Sequence, residues 1–290
     1  MSFEWYTVLG GVGRPRFLIC GDELVDNNSF EANINGWAGS PSYVNITRVE
    51  DDVTFWGDYS CQIEDMGAQV SRSKARYAIE TSVALGGRSF AVSFYARAAV
   101  AATCSMDLIC LDESLSAQEF VVGTPYSHYL GIFSFVAAAE TSFDLNIFAV
   151  AGGSYANTLF IDKISCREVT KDVYTQFPYL PNESSPEYED TLLSSARLVD
   201  GSLKEYSQGW EARISVQYEY LDRTAEYYRM LLSEASFVWM QLHDDYAYWL
   251  AVKWDKNFEQ EYFGGVMAGH VGKLRFKSIY LLERKPLDIS

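Results

Sequence analysis

Alternation of apolar and polar residues dominates the chain and predicts β-strands. Between residues 90 and 97, Phe, Val, Phe and Ala occupy the even positions, and Ala, Ser, Tyr and Arg occupy the odd ones. The same period of two recurs over residues 104–110, 143–149 and 159–166. Such a period puts successive side chains on opposite faces of a half-buried sheet. Residues 22–169 are therefore predicted to form an all-β sandwich.

A second, smaller domain is predicted after these strands. Residues 170–195 are acidic and rich in proline, which lacks the donor that a sheet interior needs, so we predict a linker there. Residues 210–220 alternate strictly, and apolar residues at helical spacing predict one helix over 223–235. Further strands are predicted over residues 237–242, 246–254 and about 273–282. Residues 196–290 should thus form an α+β domain.

The resulting fold class is mainly β, a β-sandwich followed by a smaller α+β domain with one main helix. The first 21 residues remain outside both domains. We predict that they form an arm or an edge strand that contacts a neighbouring molecule.

The net negative charge of the chain excludes some classes of binding partner. The formal net charge is −16, which repels phosphate backbones and anionic lipid head groups, so neither nucleic acid nor a membrane surface is a predicted partner. Residues 120–139 and 145–161 carry no charge but contain Gly, Pro or Asn, and we predict no membrane insertion. Glu4 and Trp5 replace the basic and apolar blocks of a secretory signal, which predicts synthesis in the cytoplasm.

The five cysteines show no paired spacing and are predicted to be buried apolar residues.

Four segments of the first domain carry a family resemblance. An asparagine-rich lead-in ends in Phe-Glu and is followed by Trp37, and three later segments occur in the family's order. Together they resemble the carbohydrate-binding-module jelly rolls of the family 4/9 type. The segments are Leu24–Glu31, Gly57–Ser60, Gly86–Arg97 and Phe160–Ile164.

The resemblance implies a jelly roll of two antiparallel sheets with a structural calcium ion. In the family, the carboxylates at the positions of Glu31 and Asp162 are ligands. A hard cation such as Ca²⁺ takes several oxygen ligands, which suits two carboxylates with backbone carbonyls beside them. The alternative is that Glu31 and Asp162 are solvated or hydrogen-bonded without an ion.

Sugar binding is a further implication of the resemblance. Modules of this kind stack aromatic side chains on sugar rings, and the candidates are Trp56, Tyr59, Tyr95 and Tyr126. The alternative for Trp37 and Tyr59 is packing in the core. Because the first domain has only two tryptophans, we predict weak or absent glycan affinity.

The second domain resembles, in architecture, small α+β domains of tailed-bacteriophage tail and connector proteins. We therefore predict a non-enzymatic structural protein of a phage virion, in the tail or attached to it. It would assemble through residues 196–290 with other virion proteins and display the jelly roll outward. The main alternative is a lectin-like glycan-binding module for attachment to a host or a substrate, such as a cell-surface glycan. A third is an accessory or hydrolase domain of an enzyme.

Aromatic residues in the second domain exceed what a small core can bury. The strand predicted over residues 246–254 is apolar on both faces, so one face is predicted to meet another protein surface, and self-association into a symmetric oligomer is expected. The alternative is that the helix and residues 1–21 cover both faces. The predicted interface residues are Trp239, Tyr246, Tyr248, Trp249 and Trp254.

Candidate catalytic groups are few. His243, Asp244 and Asp245 are adjacent in a predicted turn, where their side chains point in different directions. His128 and His270 have no nucleophile or acid at motif spacing. We therefore predict no catalysis, and no cofactor other than possible calcium.

Overall fold

The computed structural model divides the chain into two compact units. One is residues 21–169, here the jelly-roll unit, and the other combines residues 1–20 with 170–290, here the helix-containing unit. The structure describes residues 15–26, 28–40, 44–50, 57–65, 74–148, 158–173, 183–197, 203–221, 223–241, 249–255, 261–262 and 270–278.

The jelly-roll unit is a sandwich of two antiparallel sheets. The first sheet has the order β3-β4-β11-β6-β9 and the second the order β2-β5-β10-β7-β8. The strands are β2 (Trp37–Ser40), β3 (Val44–Glu50), β4 (Tyr59–Asp65), β5 (Lys74–Glu80), β6 (Ser89–Ala98), β7 (Ala102–Ile109), β8 (Gln118–Val122), β9 (Ser127–Ser134), β10 (Ser142–Phe148) and β11 (Thr158–Asp172).

The period of two decides which side chains fill the space between the sheets. In β6, Phe90, Val92 and Phe94 point into the core, and in β10, Phe143 and Leu145 do so. The Phe90 ring lies 4.8 Å from that of Phe143, as centroid distances, so the two sheets interlock through aromatic contacts. The β-sandwich predicted for this region is confirmed. All five cysteines are buried free thiols, as predicted.

The helix-containing unit is one antiparallel sheet with a helix packed on it. The sheet order is β12-β13-β17-β15-β14-β1, and β16 pairs with β17. Strands β1 and β11 extend across the boundaries between the two units. The elements are β1 (Arg16–Glu23), β12 (Glu183–Arg197), β13 (Leu203–Leu221), α1 (Arg223–Glu234), β14 (Val238–Gln241), β15 (Leu250–Trp254), β16 (Glu261–Tyr262) and β17 (His270–Ser278).

Helix α1 buries one apolar face and one ion pair. Ala225 and Leu232 are fully buried in the core with strand residues such as Val216 and Phe276. Arg229 and Glu226, three residues apart, form a buried pair through two hydrogen bonds of 2.7 and 2.8 Å. The predicted helix between two sets of strands is confirmed.

The predicted linker is partly a strand. Strand β11 continues to Asp172, and residues 183–197 form β12, which pairs with β13 and places Pro186 opposite Ile214. Because β12 comes first in the sheet order, the missing N–H of proline can face away from the ladder, as in other edge strands. Residues 16–21 of the predicted arm belong to β1, which pairs with β14 of the same chain. Residues 1–14 of that arm lie outside the described residues.

Two of the three predicted interface tryptophans are buried, and the third is partly buried. Trp239 is 3 % and Trp249 is 8 % exposed, while the partly buried Trp254 packs on Phe276 in the core. Their apolar surface is already removed from water within one chain, so a partner would gain little by covering it. Tyr246 and Tyr248 lie outside the described residues.

In the part of the chain that the structure describes, no helix has the length and apolar character needed to cross a membrane.

Candidate functional site

The outward face of the second jelly-roll sheet carries an array of polar side chains. Residues that are paired across an antiparallel sheet share a face, and here Arg76, Asn146 and Asp107 form one cross-strand row. The row on one side consists of Lys74, Phe148 and Ser105, and Asp144 lies in the row on the other side, two residues before Asn146 in β10. We call these seven residues the polar face. They alternate with Leu145 and its core neighbours, so they point away from the sandwich interior.

The centre of the polar face is buried. Asn146 is 0 % exposed and Asp107 is 7 % exposed, although both lie opposite the core. The Asn146 side-chain Nδ2 donates a hydrogen bond of 2.7 Å to Asp107 Oδ1. A carboxylate oxygen accepts hydrogen bonds, so this contact fixes the orientation of the Asn146 amide.

That orientation leaves the other side-chain atom of Asn146, a strong acceptor, without a partner among the described residues. Asn146 Oδ1 is buried and accepts no hydrogen bond from the residues that the structure describes. A buried acceptor left in this state costs about 1–3 kcal/mol, and a ligand that donates a hydrogen bond would recover that energy. Asn146 Oδ1 is therefore a candidate acceptor for a hydroxyl or an amide donor, although its side chain is completely buried and must become accessible before a ligand can reach it.

The surroundings of Asn146 combine charge with an aromatic ring. Arg76 Nε lies 2.8 Å from Asp144 Oδ2 at a partly exposed position. Lys74 Nζ lies 5.6 Å from the centroid of the buried Phe148 ring. The polar face thus offers hydrogen-bonding groups of both kinds beside apolar carbon.

The aromatic residues that the sequence suggested for sugar stacking lie elsewhere. Tyr59 begins β4, and the Arg48 guanidinium covers its ring, with Cζ 3.2 Å from the ring centroid. Tyr126 precedes β9 and has the Arg97 guanidinium 5.6 Å from its centroid. Tyr95 lies in β6, in the first sheet. None of these three is in the second sheet, and Trp56 lies outside the described residues.

Tyr95 and Asp162 are brought together by the first sheet. They are direct cross-strand partners, and the Tyr95 ring lies 4.8 Å from the His128 ring. Burial lowers the pKa of His128 to about 3, so its imidazole is neutral at physiological pH. Burial also lowers the pKa of Lys163, and the nearby Asp162 carboxylate opposes that shift. This cluster therefore contains a neutral histidine and a buried carboxylate beside the partly buried Tyr95 ring.

Glu31, the other predicted calcium ligand, is held by backbone donors. Its Oε1 accepts a hydrogen bond from Tyr59 N at 3.1 Å, and its Oε2 accepts one from Asp58 N at 3.3 Å. Arg48 donates to the carbonyl oxygens of Phe30 and Glu31. Calcium needs six to eight oxygen ligands, and these contacts fit it poorly because the nearby oxygens already bind donors.

The described residues around Glu31 form no acidic cluster. Among the described residues, no group of three or more His, Cys, Asp or Glu side chains is arranged to hold a metal ion. Asp162 Oδ1 accepts a 2.6 Å hydrogen bond from Lys163 N. Calcium at Glu31 and Asp162 stays a prediction.

Substituting Gly57 tests the tight contact at Glu31. Gly57 has φ +76°, and an added Cβ would lie 2.3 Å from Glu31 Oε1. We expect Gly57→Ala to lower the free energy of unfolding by about 2–3 kcal/mol, measured by urea denaturation. Gly87→Ala is the matched control, because φ is +78° there and an added Cβ meets nothing within 4 Å. Equal losses in both variants would show that the Glu31 contact contributes nothing.

Comparison with known proteins finds similarity in solved structures alone. No protein-family model matches the chain, and no curated protein matches it. The xylan-binding domain CBM22-1 of Paenibacillus barcinonensis Xyn10C is 17 % identical, with a TM-score of 0.41, over 52 % of this chain and 97 % of that domain. A CBM4 structure is 12 % identical, with a TM-score of 0.38, over 50 % of this chain and 99 % of that one. Tailspike protein 4 of bacteriophage CBA120 is 17 % identical, with a TM-score of 0.39, and the match covers 51 % of this chain and 21 % of the tailspike chain.

The polar face could not be predicted from tyrosine and tryptophan, the residue types that the sequence suggests for sugar stacking. One signal was present. In β10, Asp144 and Asn146 occupy the positions that alternate with the core residues, and an uncharged Asn between hydrophobic neighbours marks a polar group close to the core. Its partners Arg76 and Asp107 could not be assigned without the strand register.

Proposed function

We propose that the protein binds a glycan on the polar face of its jelly-roll unit. The observation that carries this proposal is the buried Asn146 Oδ1, an acceptor without a partner among the described residues at the centre of an outward-facing row of polar side chains. A sugar hydroxyl carries a proton that it can donate to Asn146 Oδ1.

The composition of the polar face suits a sugar ring. A sugar presents hydroxyl groups around its rim and C–H groups on its faces. Asn146, Asp107 and Ser105 lie together in two adjacent rows and match the first feature, while the Phe148 ring is only 5 % exposed and leaves little apolar carbon free for the second. Recognition would depend on hydrogen bonds, since Phe148 is the one aromatic side chain among the seven residues.

The structural role in a phage virion, with virion partners and self-association, stays a prediction beside this proposal. So does the absence of catalysis. An attachment protein of a virus would also need to hold a surface glycan, so a glycan-binding jelly roll is compatible with both the virion hypothesis and the lectin-like alternative.

Isothermal titration calorimetry with the full chain tests the proposal. The probes are soluble oligosaccharides of defined linkage, including xylohexaose, cellohexaose and β-1,4-galactotriose, followed by a glycan array. At least one probe is expected to bind, and Asn146→Ala should weaken its binding by about 3–10-fold, because one neutral hydrogen bond contributes about 0.5–1.5 kcal/mol.

Asn45→Ala is the matched control, since Asn45 is exposed in β3 of the other sheet. It should leave the dissociation constant unchanged. A second variant, Arg76→Gln, changes a partly exposed side chain of the polar face and guards against loss of folding in Asn146→Ala. The proposal is wrong if no glycan binds, or if both polar-face variants bind as tightly as the unaltered protein.

A further inference from the structure

The turn before β2 brings two carbonyl oxygens to one positive charge. Phe30 has φ +60°, an uncommon conformation for a bulky residue, and its side chain is completely buried. In this conformation the Phe30 and Glu31 carbonyls both accept hydrogen bonds from Arg48, through Nε at 2.7 Å and through Nη2. Adjacent carbonyl oxygens directed at one centre are also how a backbone loop surrounds a cation.

The Arg48 guanidinium is held from a second side. Its Cζ lies over the Tyr59 ring, whose negative π face attracts a cation. The planar guanidinium can stack on the ring while its edge donates to the carbonyls. Arg48 therefore has a defined position set by two backbone carbonyls and a ring, whereas Arg76, whose side chain is 51 % exposed, is held by its ion pair with Asp144.

The Glu31 carboxylate links the turn at Phe30 to the start of β4. It accepts the backbone N–H groups of Asp58 and Tyr59, so the residue that stacks on Arg48 also binds Glu31. Glu31 and Arg48, which carry opposite charges, thus both contact Tyr59 at the start of β4. The turn at Phe30, strand β3 and strand β4 are joined through these contacts.

We infer that Arg48 supplies the cation that the family resemblance assigns to calcium beside Glu31. The guanidinium binds the Phe30 and Glu31 carbonyls, and the backbone donors take the Glu31 carboxylate, so the turn is stabilised by the chain itself. The inference goes beyond glycan binding and does not depend on it. It requires that the jelly-roll unit be stable without a divalent cation and that Arg48 be essential to that stability.

Differential scanning calorimetry of the full chain tests the inference without any sugar. The Tm in 5 mM CaCl2 is expected to lie within about 1 °C of the Tm in 5 mM EDTA. Arg48→Met keeps the length of the side chain but removes its charge and donors, and should lower the Tm by about 5–10 °C. Arg48→Lys restores the charge and one point of donation, and should recover part of that loss.

Arg76→Met is the matched control, and a shift of no more than about 2 °C is expected because its ion pair with Asp144 is partly exposed. Two results would overturn the inference. One is a rise of several degrees in the Tm of the unaltered protein on adding calcium, with binding by calorimetry that Glu31→Gln removes. The other is a Tm for both Arg48 variants equal to that of the unaltered protein. If Arg48→Met does not fold, Arg48→Lys with the calcium comparison decides.

Discussion

Glu226→Ala is expected to lower the free energy of unfolding of the helix-containing unit by about 3–5 kcal/mol. The reason is that Arg229, which is 1 % exposed, would keep its charge in the interior after losing its bidentate partner. Removing a charge from water is compensated only while the opposite charge and its hydrogen bonds remain. Urea denaturation followed by far-UV circular dichroism measures the loss.

Two further variants separate the buried charge from a general effect of substitution. Asp172→Ala breaks the partly exposed pair between Arg16 and Asp172 and should cost no more than about 1 kcal/mol. Glu226→Leu combined with Arg229→Met removes both charges and should be more stable than Glu226→Ala alone, because the buried guanidinium charge is removed together with the Glu226 carboxylate that it binds. If Glu226→Ala costs no more than Asp172→Ala, the pair is not a structural element of helix α1.

Phe90→Ala is expected to destabilise the jelly-roll unit by about 3–5 kcal/mol. Phe90 is completely buried, and its ring meets Phe143 at 4.8 Å and Phe135 at 5.9 Å between centroids. Truncation would remove these aromatic contacts and leave a cavity between the two sheets. The loss should appear in the calorimetric transition and in the urea midpoint without a change in glycan specificity.

Phe160→Ala is the control for this prediction. Phe160 lies in β11 on the face away from the core, partly exposed, under the Arg97 guanidinium at 3.9 Å from its centroid. It should cost about 1 kcal/mol, which is the contribution of a surface cation–π contact. A loss as large as that of Phe90→Ala would mean that the sandwich core has been placed on the wrong face of the first sheet.

The strands of the jelly roll could be predicted because their two faces differ chemically. In β6 and β10 the core residues recur at every second position, and the sandwich follows from burying them. The helix was predictable for the same reason, since Ala225 and Leu232 lie seven residues apart on one face. These features depend on local pattern alone.

Strand β12 could not be predicted from local pattern, because Pro186 and its acidic neighbours argue against a strand. The pairing with β13 overrides that preference, since a long partner strand supplies the ladder and an edge position tolerates proline. Burial of Trp239 was missed for a related reason. An aromatic residue in a strand predicts a buried face but does not tell whether its own chain or a partner covers it.

The polar face depends on register between distant segments. Arg76, Asp107 and Asn146 are separated by 31 and 39 positions along the chain, and they meet because β5, β10 and β7 are adjacent in the sheet. Similarly, Arg48 reaches the Phe30 carbonyl because β3 and β4 pair and Phe30 adopts a left-handed conformation. Neither contact could be predicted from the composition of the chain.

The most direct test of the account is an NMR titration of the full chain with the best-binding oligosaccharide, following the side-chain amide of Asn146. The account predicts that the Asn146 Nδ2 resonances shift with the same dissociation constant as the calorimetric binding, together with backbone signals of Arg76 and Asp107. Saturation of binding with these signals unchanged, and with shifts confined to Tyr95 or Tyr126, would contradict it.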